Sequence, residues 1–129
     1  WGKKKYKHCC LTKELKREHL LEDIDRFIEL CKKYGIRTFT VLFGFAWGNE
    51  YYAWTERQVS VSEVKNEIAA AEKVEAGRLG HDDLFISVPD LNIELQYCHH
   101  SDIHLQYDEE NEIVKAIQRR WKDSDWEVS

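Results

Sequence analysis

Seven consecutive residues, Cys98-His99-His100-Ser101-Asp102-Ile103-His104, hold a thiol, three imidazoles and a carboxylate. All three group types bind Zn²⁺. A Cys and a His within hydrogen-bond reach, with a carboxylate such as Asp102 orienting the base, would alternatively form a nucleophilic pair. The spacing favours neither chemistry. Paired Cys-x-x-Cys or His-x-His logic is absent. His100 and His104 are four apart, but they fall in a turn and a strand rather than on one helical face. The segment therefore reads first as a polar hairpin, with His99, His100 and His104 kept as the alternative metal ligands. Alternation does allow Cys98 and His104 to share one sheet face.

A second set of polar residues, His81-Asp82-Asp83, reads as an exposed loop. Phosphate cradles of the Gly-x-Gly-x-x-Gly or Walker type are missing, as is a Gly-x-Ser-x-Gly elbow. No motif calls for a cofactor, and the sequence leans away from an enzyme. Residues suited to recognition are easier to find. Tyr52, Trp54 and Glu56 lie on one face of the second arm of an expected hairpin, and large amphipathic rings are favoured at interfaces. Glu94, Gln96, His104 and Gln106 occupy the polar face of two later alternating runs.

The elements that must position these groups follow from periodicity. Leu20, Ile24, Phe27, Ile28, Cys31 and Tyr34 make one apolar stripe of a first helix, expected to run from an N-cap at Thr12 to about Tyr34, with Gly35 as its stop. Ile36 to Gln58 reads as two strands around Gly48-Asn49, a hairpin signal. Ser60-Val-Ser-Glu63 matches a capping box for a second helix beginning near Val61. Leu84 to Val88, Leu91 to Cys98 and Asp102 to Tyr107 read as three strands. The last helix carries Ile113, Val114, Ile117 and Trp121 on its packing side. The expected order is α-β-β-α-β-β-β-α. That is one α+β domain over residues 1–129, with three helices and five mostly antiparallel strands. Residues 1–11 are expected to be a loose basic arm, and 123–129 an acidic tail.

Length and composition agree with a single globular domain. The net charge of −5 over 129 residues is unevenly spread. Residues 1–40 carry 11 Lys/Arg against 6 Asp/Glu, and residues 41–129 carry 8 against 18. An acidic body disfavours nucleic acid, because phosphate contacts need Lys and Arg. No apolar run reaches the ~20 residues that span a bilayer, so a membrane partner is not expected. The basic N-terminal residues have no apolar run behind them to make a signal peptide. The four cysteines therefore read as reduced thiols of a cytoplasmic protein.

The compact acidic α+β pattern carries a helix before a hydrophobic hairpin. It closes with Asp102-Ile-His-Leu-Gln-Tyr107 followed by Ile113-Val-Lys-Ala-Ile117 and Trp121. In these features it resembles the small immunity proteins that accompany bacterial polymorphic and contact-dependent toxins. The resemblance implies a protein-binding inhibitor that neutralises a cognate toxin, such as a basic nuclease, by occluding it. The alternatives are a small enzyme or metal-binding protein centred on Cys98–His104, and a subunit whose exposed aromatics form a homodimer.

Overall fold

The computed structural model describes residues 5–43, 56–75 and 77–127. Its centre is a fully antiparallel six-stranded sheet, ordered β1-β6-β5-β4-β2-β3. The strands are β1 (His8–Leu11), β2 (Thr38–Phe43), β3 (Arg57–Ser60), β4 (Leu84–Val88), β5 (Ile93–Tyr97) and β6 (Ile103–Tyr107). Among the described residues there are three α-helices, α1 (Arg17–Lys33), α2 (Val64–Lys73) and α3 (Glu112–Asp123). The class is α+β, with six strands where five were expected. The added strand is β1. His8–Leu11, expected as part of the loose arm, pairs along β6 with Cys10 opposite Leu105.

Alternation separates the two faces of the sheet. Phe39, Val41, Val59, Leu84, Ile86, Val88, Ile93, Leu95, Ile103 and Leu105 join one core with the apolar stripes of the helices. The register aligns Cys10, Leu105, Leu95, Ile86 and Val41 across five strands. Trp121, Ile117, Ile113 and Val114 are buried as the spacing of α3 predicts. In α1 all the stripe residues are buried except Tyr34, which sits beyond the last turn and is exposed. Phe27 of α1 stacks on Phe39 of β2 with ring centroids 5.3 Å apart.

Two helix starts differ from expectation. Thr12 does not cap α1. Its hydroxyl accepts from the Ile103 N–H (2.9 Å) and donates to the Lys13 carbonyl (2.8 Å). This ties the N-terminal segment to β6, and α1 begins later, after Lys16. The Ser60–Glu63 capping box is not made either, because Ser60 is the last residue of β3. Ser60 Oγ meets Ser62 Oγ (3.0 Å), and α2 starts at Val64. In both places a ladder claims the hydroxyl residue first.

The helical layer holds one buried charge. Asp23 of α1 is fully buried and accepts from Tyr97 Oη (2.7 Å), from Trp121 Nε1 (2.8 Å) and from the Arg120 guanidinium. The expected acidic tail is also partly packed: Trp126 is buried, and Glu127 bridges to Thr12. No helix among the described residues is long and apolar enough to cross a membrane.

Candidate functional site on the outer face of the sheet

The face turned away from the helices is built by the same alternation. One row runs Leu11, His104, Gln96, Phe85, Leu42; the next runs Cys9, Gln106, Glu94, Ser87, Thr40, Gln58. Four of the expected recognition residues, Glu94, Gln96, His104 and Gln106, thus form a two-by-two block on β5 and β6, all half-buried. Glu56 is exposed, and its carboxylate lies close enough to raise the pKa of Glu94. Tyr52 and Trp54 lie outside the described residues. Leu42 and Phe85 are buried on this face, which is therefore not uniformly polar. By alternation, none of the outward positions of the six strands is Lys or Arg.

Two groups show that the face is partly dehydrated. Burial raises the pKa of Glu94, while the Ser87 hydroxyl donates to its carboxylate (2.9 Å) and opposes the rise. Burial, helped by the Glu94 and Asp108 carboxylates, pushes the Tyr6 phenol up to about 12. Tyr6 thus stands near Glu94. The backbone N–H of Lys7 donates to Asp108 (3.1 Å), so the arm is tied down at this point.

The block continues into the β5–β6 turn. The Cys98 N–H donates to the Asp102 carbonyl (2.8 Å), and the Ser101 N–H donates to the Cys98 carbonyl (2.9 Å). Ser101 closes the turn at φ 65°, a left-handed conformation that is costly for a side chain bearing a Cβ. It is held there by two bonds: the Leu15 N–H donates to its carbonyl (2.8 Å), and its Oγ donates to Gly80 (3.3 Å). This coil folds His99 and His100 back over the buried thiol. Cys98 Sγ is 3.6 Å from His99 Nδ1 and 3.8 Å from His100 Nδ1. Cys98 also lies within 4.8 Å of a second pair, His104 and Asp102, themselves 3.2 Å apart. His104 is thus grouped with Asp102, not with His99 and His100.

Asp83 is the residue that sequence reasoning missed. Asp82 and Asp83 are buried, not part of an exposed loop. Asp83 Oδ1 accepts from the His99 backbone N–H (2.8 Å) and from Gln96 Nε2 (3.2 Å), and lies 3.0 Å from His99 Nδ1. Desolvation alone would raise the Asp83 pKa, but the donors from His99 and Gln96 outweigh it and hold the carboxyl below its usual range. No local sequence signal marks this burial, which comes from Asp83's contacts with Gln96 and His99.

The arrangement does not make Cys98 a ready nucleophile. Burial, aided by the Asp83 and Asp102 carboxylates, pushes its thiol up to about 12, whereas nucleophilic cysteines have depressed values. What the geometry offers is a fixed polar face with a ligand-rich turn at one end. Comparison of the chain with protein-family models, with curated proteins and with solved structures finds no match.

Proposed function

We propose that the chain acts by binding another protein. It is an inhibitor of the toxin-immunity kind, working in the cytoplasm, that occludes a basic partner with the outer face of its sheet. The observation that carries this reading is the block of Glu94, Gln96, His104 and Gln106 on β5 and β6. It sits on a face whose strands present no Lys or Arg outward. The side chains are anchored by the sheet register, so little ordering entropy is lost on docking. The net charge of −5 favours encounter with a basic surface.

The test is co-expression with the product of the reading frame adjacent to its own gene. That product is expected to arrest growth when expressed alone and to be neutralised by this chain. The folded double variant Gln96→Lys/Gln106→Lys is expected to lose protection. A harmless neighbouring product would sink the reading, and so would protection that survives the double variant.

A further inference from the structure

We propose that Cys98 Sγ, His99 Nδ1 and His100 Nδ1 form one face of a binding site for a thiophilic divalent cation of the Zn²⁺ or Co²⁺ type. The proposal does not rest on the protein-binding reading, although Gln96 belongs to both places. The first argument is metric. A tetrahedral Zn²⁺ site with bonds of about 2.3 Å to sulfur and about 2.0 Å to nitrogen sets its sulfur and nitrogen donors about 3.6 Å apart. The two sulfur–nitrogen separations here are 3.6 and 3.8 Å, and each of the three residues offers a donor atom within 4.8 Å of the others. Donors at such spacing need only small shifts to close on an ion.

The second argument is the surroundings. Asp83 Oδ1 lies 3.0 Å from His99 Nδ1 and 2.8 Å from the His99 backbone nitrogen, so it fixes the ring position in the metal-free chain and places a negative charge beside the donors. Ligation through Nδ1 requires the His99 tautomer that carries its proton on Nε2; Asp83 Oδ1 then gives up its contact with Nδ1 and keeps those with the His99 backbone N–H and Gln96. Its negative charge then faces the cation. The turn is fixed by Ser101 to Gly80 and to Leu15, so the donors are ordered before the ion arrives. Cys98 is buried, His99 half-buried and His100 exposed, which leaves an entry path on the His100 side.

The third argument is donor chemistry. A thiolate with two imidazoles suits Zn²⁺ or Co²⁺, whereas Mg²⁺ and Ca²⁺ prefer oxygen. The competing triad of Cys98, Asp102 and His104 has a carboxylate in place of one imidazole, a harder donor set that is less selective for a thiophilic ion. On binding, the thiol proton leaves to solvent and the sulfur–metal bond replaces it. A fourth position remains for water.

Titration of the metal-free chain with Co²⁺ alone tests the site. We expect one ion per chain, with a thiolate-to-Co²⁺ charge-transfer band in the near ultraviolet and visible ligand-field bands of tetrahedral strength, both bleached by Zn²⁺. Cys98→Ser should abolish the charge-transfer band. His99→Ala and His100→Ala should each weaken Co²⁺ binding by roughly tenfold or more. Cys9→Ser, at an exposed thiol, should leave the band unchanged. The proposal fails if the wild-type chain shows no such band, or if the band survives Cys98→Ser. It also fails if the band depends on His104 and not on His100. His100 is exposed, so His100→Ala keeps the test decisive should Cys98→Ser disturb folding.

Discussion

At the scale of single residues, three carboxylates show how surroundings decide what an acid contributes to stability. Asp23 is buried against Tyr97, Trp121 and Arg120. Removing one member of a buried charge pair leaves the other uncompensated. Asp23→Ala is therefore expected to cost about 3–5 kcal/mol, read from the urea midpoint. Glu72 and Glu94 should respond to pH in opposite directions. The Arg17 guanidinium, held at 2.7 and 2.6 Å, lowers the Glu72 pKa below its ordinary 4.5, with the Leu79 N–H assisting. Its stabilising contribution is present above pH 4.5 and is lost as pH falls through the lower folded value. Arg17 is half-exposed, so screening limits the pair to about 0.5–1 kcal/mol. Burial raises the Glu94 pKa, so its contribution is most favourable below 4.5 and declines as pH rises through the higher folded value. Glu72→Gln should lower the thermal midpoint at pH 7, whereas Glu94→Gln should raise it. Both differences should shrink in scans taken below pH 4. A Glu94→Gln variant less stable at pH 7 would contradict the desolvation argument.

At the scale of elements, the sequence was most legible where burial is one-sided and periodic. Strands β4, β5 and β6 and the packing side of α3 follow directly from alternation and helical spacing, because each misplacement would expose several apolar side chains. Caps and the first strand were harder to read. His8–Leu11 has a basic flank and no strong alternation; it becomes a strand because β6 would otherwise present a bare edge. The hydroxyls of Thr12 and Ser60 have the right chemistry for caps, but the ladder beside each offers a competing position. The helix capped by its own side chain is α3, where Asn111 Oδ1 accepts from the Val114 N–H (3.0 Å). Asn111→Ala is expected to cost about 1 kcal/mol. Ser60→Ala should cost less, since among the described residues its hydroxyl meets Ser62 on the surface and does not cap α2. Chemical denaturation of both variants checks the ranking; equal losses would show that Asn111 does not cap α3. The candidate site was half legible in the same way. Alternation places Glu94, Gln96, His104 and Gln106 on one face. The coil that folds His99 and His100 over Cys98, and the arrival of Asp83 from sixteen positions away, are tertiary facts that local spacing does not encode.

At the scale of the whole molecule, β1 joins the two ends of the fold. Its residues pair with β6, Thr12 bridges to Glu127, and the Lys13 N–H donates to the Trp126 carbonyl (2.8 Å). The strand therefore shields the β6 edge, buries Cys10 against the core and holds the segment that closes the bottom of α3. Deleting residues 1–11 would leave the N–H and C=O groups of Ile103–Tyr107 facing solvent next to an apolar row, which is a template for pairing with another chain. Lost burial at Cys10 and the lost ladder should destabilise the chain by about 2 kcal/mol or more. Sedimentation across a concentration series should show the deletion variant self-associating, while Lys5→Gln/Lys7→Gln in the intact arm should not. That control separates the backbone ladder from the charge of the arm. A deletion variant that stays monomeric with an unchanged urea midpoint would mean that β1 adds no stability to the sheet and does not protect its edge.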